Sequence, residues 1–260
     1  MIGKDESRQA ASADQLPAGT SVVLLYHRLG PPKLGSLVAG QYVAPRLFGS
    51  QLDYLSRRGW RGTSLAELVG ARRSDVPEPH DEFCVTFDDG YLSVYDHACP
   101  ALAQRGLTAT IYVVAGAVGG INEWDRAAGD REERMMSAEQ IKELCAAGFE
   151  IGSHTMTHPR LTEAPDDKLR AELVDSKHVL EDMIGKEVVS FSYPYGDYDA
   201  RVLDAVAAAG YTSAATTRLG VVVPTTTEFD IPRVNVRWNA VGPLLMRKIN
   251  RARKASGLKK

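Results

Sequence analysis

Residues 85–91 read VTFDDGY, so two adjacent aspartates, Asp88 and Asp89, end an apolar run and precede a glycine. Neighbouring carboxylates repel, and burial makes either one harder to ionise. A bound cation would offset that cost and keep both charged. The stretch SHTMTHPR, residues 153–160, supplies partners for such a cation, since it sets His154 and His158 four residues apart. The pattern is not H-E-x-x-H, because Thr155 stands where a zinc protease has its glutamate. Pro159 also biases His158 away from helical geometry, which puts His154 at a strand end and His158 on the following turn. Two imidazoles and one carboxylate make a three-ligand site that leaves a position for water, as in hydrolytic zinc centres. Successive residues at a strand end project in opposite directions, so one aspartate becomes a ligand and its neighbour a base. Gly90 permits the sharp turn that follows.

Such residues need elements to bring them together. Six short runs rich in β-branched residues, SVVLLYH, FCVTFDD, TATIYVV, FEIGSH, VVSFSYP and YTSAAT, read as strands buried on both faces. Helical patterns lie between them, most ending in glycine. The alternation predicts an α/β fold, a distorted (β/α) barrel of about seven parallel strands with helical crossovers. His27, the Asp88–Asp89 pair, His154 and the Tyr193–Pro194–Tyr195 group all end strands, and in a parallel barrel those ends share one face.

Composition narrows the function classes. With 260 residues, 44% of them hydrophobic, the chain suits one large soluble domain, and a net charge of -2 gives no reason to expect nucleic acid as a partner. The reading is an extension over 1–18, a catalytic domain over 19–245 and a basic tail over 246–260. The last fourteen residues carry seven Lys and Arg and no acid, which suggests peripheral contact with an anionic membrane surface. Three scattered cysteines and no apolar leader at the N-terminus lead to the expectation of a cytoplasmic protein, or an exported one if a leader has been removed.

Taken together, TFDDG, HTMTH and FSYPYG resemble the motifs of the polysaccharide deacetylase family, the carbohydrate esterases that share the NodB homology domain, with similarity from about Ser21 to Val236. The resemblance implies metal-dependent removal of N-acetyl groups from an amino-sugar glycan. Carried over by position, Asp88 is the base that activates water, while Asp89, His154 and His158 hold a divalent metal. Zinc leads the candidates, and cobalt, manganese or nickel suit the same side chains. The resemblance also assigns an oxyanion contact to the backbone N–H of Tyr195 and substrate contact to Pro194 and Tyr195.

Two departures from the family pattern matter. Ser192 stands where many members have an arginine that orients the base, and no histidine follows His178 to act as the general acid. His27 on the first strand resembles the acid of a subgroup that deacetylates biofilm polysaccharides, and Arg233 in FDIPRVNV is the candidate to pair with Asp88. Trp124, in the long stretch 115–136, and Trp238, beyond Arg233, are candidates to stack on a sugar ring. His80, His97 and His178 receive no role. The alternatives are a deacylase of a small or lipid-linked amino sugar, a sugar-binding homologue that has lost catalysis, and a metal-free hydrolase on the same barrel.

Overall fold

The structure, a computed structural model, describes residues 16–74 and 81–258. His80 therefore lies outside the described residues. The first strand, β1 (Ser21–Tyr26), is buried along its whole length, as expected of a strand covered on both faces. Two short strands, β2 (Arg28–Leu29) and β3 (Tyr42–Val43), pair with each other outside the main sheet. Pro45 opens α1 (Pro45–Ser56), where its missing N–H has no helical partner to lose. Then come β4 (Arg61–Thr63), α2 (Leu65–Arg73), β5 (Glu82–Phe87), α3 (Cys99–Ala103) and β6 (Thr110–Val113). The long connection after β6 holds α4 (Glu123–Ala127), and α5 (Ala138–Ala146) leads to β7 (Glu150–Ser153). The remaining elements are α6 (Asp166–Ile184), β8 (Ser190–Ser192), α7 (Ala200–Ala208), β9 (Ser213–Leu219), β10 (Ile231–Asn235) and α8 (Gly242–Ala255).

Strands β1, β5, β6, β7, β8, β9 and β10 pair in parallel in that order, and β10 returns to β1. The result is the closed seven-stranded barrel that the alternation predicts. β4 is an additional strand, pairing with the first half of β5 where β6 pairs with its second half. Capping boxes start α2 and α5: Ser64 and Ser137 each accept from the backbone of the third helical residue, whose side chain returns the bond. Packing under the barrel mouth includes Tyr26, Phe48 and Phe87, with ring centroids 5.2 to 5.7 Å apart.

Three sequence-based boundaries are corrected. The six apolar runs omit the seventh barrel strand, β10, because Pro232 interrupts it; the register of β10 against β9 shifts at that point, which accommodates a residue unable to donate. The segment from 246 onward is not a free tail as far as residue 255. It forms most of α8, whose Leu245, Met246, Ile249 and Ala252 are buried along one face while basic residues occupy the other. The extension over 1–18 also ends too late, since Leu16 is buried and its N–H donates to Asp81 at 2.7 Å.

Candidate active site

The ladder hydrogen bonds continue one residue beyond the strands. Asp88 N–H donates to the Tyr26 carbonyl at 3.0 Å, His154 N–H to Val113 at 2.9 Å, and Tyr193 N–H to Ala215 at 3.2 Å. Each site segment is thereby fixed to its neighbouring strand before its loop departs. His27, Asp88, Asp89, His154, His158, Trp124 and Tyr195 line one cleft of about 340 Å³ at this end of the barrel.

Asp88 and Arg233 form a two-point ion pair across the barrel. Asp88 Oδ1 accepts from Nη1 and Oδ2 from Nη2, both at 2.7 Å. Ser192, in the position of the absent motif arginine, receives Nη2 at 2.9 Å and donates to Asp88 Oδ2 at 3.3 Å. Thr86 Oγ1 takes Nη1 at 3.1 Å and the Thr216 carbonyl takes Nε at 2.8 Å. All five guanidinium donors have acceptors in this way, although the side chain is fully buried. Burial pushes the Asp88 carboxyl up, but the charges of Arg233 and His154 outweigh it and hold the group below the usual carboxylate range.

Asp89, His154 and His158 converge beside this pair, each offering one ligand atom within 4.8 Å of the others. Asp89 Oδ1 lies 3.3 Å from His154 Nε2 and 3.4 Å from His158 Nε2. His154 Nδ1 is 2.7 Å from the Ser192 carbonyl, a bond of the kind that orients a metal-binding imidazole and here turns Nε2 toward Asp89. Burial raises the Asp89 carboxyl, yet hydrogen bonds from both histidines bring it well below its ordinary value. Burial lowers His154, but the charge of Asp88 and the bond to Asp89 leave it above the ordinary imidazole value. Two nitrogens and one carboxylate oxygen, all buried and converging on one point, fit a divalent metal with a tetrahedral preference.

The backbone here is unusual. Asp89, Thr155, His158 and Tyr195 all have positive φ, between 61° and 78°, and among the described residues only Asp81 is a further non-glycine case. Asp89 is itself left-handed, so the two adjacent aspartates diverge by that turn rather than by the strand pleat. The turn carrying His158 is braced from within, as Thr155 Oγ1 accepts its N–H at 2.9 Å. It is also braced from below by Glu172 of α6, a fully buried carboxylate. One Glu172 oxygen accepts the N–H groups of Met156 and Thr157 at 2.9 and 2.8 Å, and the other accepts the Thr157 hydroxyl at 2.6 Å. His27, half-buried, reaches the same cleft; burial lowers its pKa, opposed by the charges of Asp89 and Asp88.

Residues 75–214 match the family described as polysaccharide deacetylase, more than half of the chain and including both the aspartate pair and the two histidines. The chain belongs to the polysaccharide deacetylase family. Among its curated relatives is a poly-β-1,6-N-acetyl-D-glucosamine N-deacetylase of Staphylococcus aureus, 24% identical over 214 residues that span 79% of this chain and 71% of that protein. Among solved deacetylase structures, IcaB from Ammonifex degensii is 29% identical with a TM-score of 0.75, over 88% of this chain and 97% of that one. The Streptococcus pyogenes deacetylase PplD, solved with acetate, has the same fold, with a TM-score of 0.77 at 24% identity over 90% of this chain and 99% of that one.

Of the proposed substrate contacts, Trp124 lies on α4 with its ring stacked on His158 at 4.6 Å, and Tyr195 meets His158 edge-on at 4.7 Å. Pro194 is buried and starts the turn that presents Tyr195. Trp238 stands 62% exposed on the loop after β10 and is not among the residues lining the cleft. Sequence reasoning missed Glu172, although a signal existed. In DKLRAELVDSKHVLEDM the apolar face runs through Leu169, Leu173 and Leu180, and Glu172 falls on that face.

Proposed function

We propose that this chain hydrolyses the N-acetyl groups of an amino-sugar glycan, with poly-β-1,6-N-acetyl-D-glucosamine the first substrate to test because a relative spanning most of the chain is named for it. The observation that carries the reading is the placement of a buried, Arg233-held Asp88 next to the Asp89, His154 and His158 cluster in one cleft. A divalent cation held by that cluster, zinc before cobalt, manganese or nickel, would supply Lewis-acid polarisation of water and of an amide carbonyl.

Asp88 acts as the general base. Arg233 keeps it ionised and fixes both its oxygens, so the free lone pairs have one orientation toward the cleft. It takes a proton from water as the oxygen adds to the acetamide carbon. The backbone N–H of Tyr195, set by its left-handed conformation, donates to the oxygen on which charge develops. His27 delivers a proton to the departing amine; burial, opposed by the charges of Asp89 and Asp88, holds its pKa below the ordinary imidazole value, which makes the protonated ring a stronger donor. Acetate and the free amino sugar leave. Ser192 and Arg233 together occupy the role that a motif arginine has elsewhere in the family, the serine linking the guanidinium to the base.

Acetate release from β-1,6-linked and β-1,4-linked N-acetylglucosamine oligomers, with and without a chelator, tests the reading. Chelator-sensitive release from either supports it. Full metal loading with no acetate from any acetylated sugar would abandon it.

A further inference from the structure

The base, the ligand cluster and His27 leave one charged group of the cleft without a task. Asp125, on α4, lines the cleft with its side chain 19% exposed. Its Oδ2 accepts from Arg28 Nη2, from the Tyr91 hydroxyl at 2.8 Å and from Asn122 Nδ2 at 3.1 Å. Among the described residues no donor reaches its Oδ1. Arg28 is buried and has a second carboxylate partner, Asp130, whose Oδ2 receives Nη1 at 3.2 Å. Asp130 differs from Asp125 in two respects. Its other oxygen is taken by the Leu37 N–H at 2.7 Å, and it does not line the cleft.

We propose that Asp125 binds substrate, its Oδ1 accepting ring hydroxyls of the N-acetylated sugar, with Arg28, Tyr91 and Asn122 locking the carboxylate from behind. This rests on the reading of the cleft as the seat of an amino sugar. An ionised carboxylate only accepts, and charge-assisted bonds to hydroxyls are among the stronger neutral-to-ion contacts. Three donors on one oxygen leave the carboxylate a single orientation, so no rotamer freedom is lost when the sugar arrives. Trp124, the residue before it, sets an aromatic ring beside the same wall. An acceptor next to an aromatic face suits a polyhydroxylated ring, which offers O–H donors at its edge and C–H groups on its face. A counter-ion for Arg28 alone would not need to face the cleft, as Asp130 demonstrates.

The test compares two carboxylates that share one arginine. In the metal-loaded enzyme, KM for acetate release from a β-1,6-linked N-acetylglucosamine tetramer is measured. The metal-free full chain is titrated calorimetrically with the same tetramer. Asp125→Asn is expected to raise both KM and Kd by about tenfold or more, the loss of one hydrogen bond to a charged group. Asp130→Asn is expected to leave both within about twofold, as it touches no sugar. Should Asp125→Asn fail to fold, Asp125→Glu keeps the charge opposite Arg28, displaces the oxygen and is expected to show the same loss. Equal effects of the Asp125 and Asp130 variants, a tetramer affinity unchanged by Asp125→Asn, or no binding by the wild-type chain would each overturn the proposal. Binding of the tetramer without any acetate release would defeat the hydrolase reading and leave the subsite standing.

Discussion

The two halves of the candidate cleft are built on opposite principles. On one side Arg233, Asp88, Ser192, Thr86 and Thr216 form a lattice in which all five guanidinium donors and both carboxylate oxygens are engaged. On the other, the Nε2 atoms of His154 and His158 lean on a single oxygen of Asp89 at 3.3 and 3.4 Å, and His158 Nδ1 is buried with no partner among the described residues. The lattice rests on strand residues and strand ends. The ligand cluster rests on left-handed loop residues, Asp89 and His158, whose conformation costs energy and persists only because surrounding bonds impose it. The difference teaches that Asp88, the proposed base, is positioned by the barrel itself, whereas His158, a proposed ligand, is positioned by braces, Thr155 and Glu172.

Substitutions on each side test that division. Asp88→Asn is expected to have the largest effect, lowering acetate release by about 10²- to 10⁴-fold while stoichiometric metal is retained, because the ligand side is untouched. Metal content measured alongside activity checks it, and loss of metal in this variant would show that the two halves are not separable. Arg233→Ala leaves a buried carboxylate without its partner and should destabilise the fold by about 3–5 kcal/mol in denaturant unfolding. A cost near zero would mean that the lattice does not support the barrel. Glu172→Ala, on the ligand side, strands the N–H groups of Met156 and Thr157 at a cost of about 1–3 kcal/mol. It should weaken metal affinity in a chelator competition and leave the Asp88–Arg233 pair intact; unchanged affinity would remove Glu172 from the account.

The mildest effect concerns pH. In the metal-free chain His154 holds its proton above the ordinary imidazole value, and a ligand must lose that proton to bind metal. Metal affinity should therefore keep rising with pH past about 6.5, the ordinary imidazole value, and fall by up to about tenfold per unit below the raised value. A metal-binding curve already flat at pH 6 would contradict it.

Much of this was legible in the sequence because it followed simple periods. Alternating apolar runs and glycine-ended helices gave the barrel, and the strand-end positions of Asp88, Asp89 and His154 gave the shared face. Arg233 was legible only as the candidate to replace the family arginine absent at Ser192. Other features were hidden for identifiable reasons. Pro232 disguised the last strand, because proline argues against a central strand unless a register shift absorbs it. The basic residues of α8 drew attention from the apolar face through Leu245, Met246, Ile249 and Ala252. The left-handed conformations of Thr155, His158 and Tyr195 leave no mark in residue type, since none is a glycine. The Arg28, Asp125 and Asp130 cluster joins segments about a hundred residues apart, and nothing local announces it.

β10 carries Arg233 and also closes the barrel against β1, so the last of the seven barrel strands completes both at once. Of the seven barrel strands, β1 leaves the ribosome first and β10 last. A nascent chain therefore has Asp88 in place on β5 with no guanidinium opposite it until residue 235 has cleared the exit tunnel. Chains cut short before that point lack both the strand that seals the sheet and the guanidinium that pairs with the Asp88 carboxylate, so β10 ties the closure of the barrel to the completion of the candidate site.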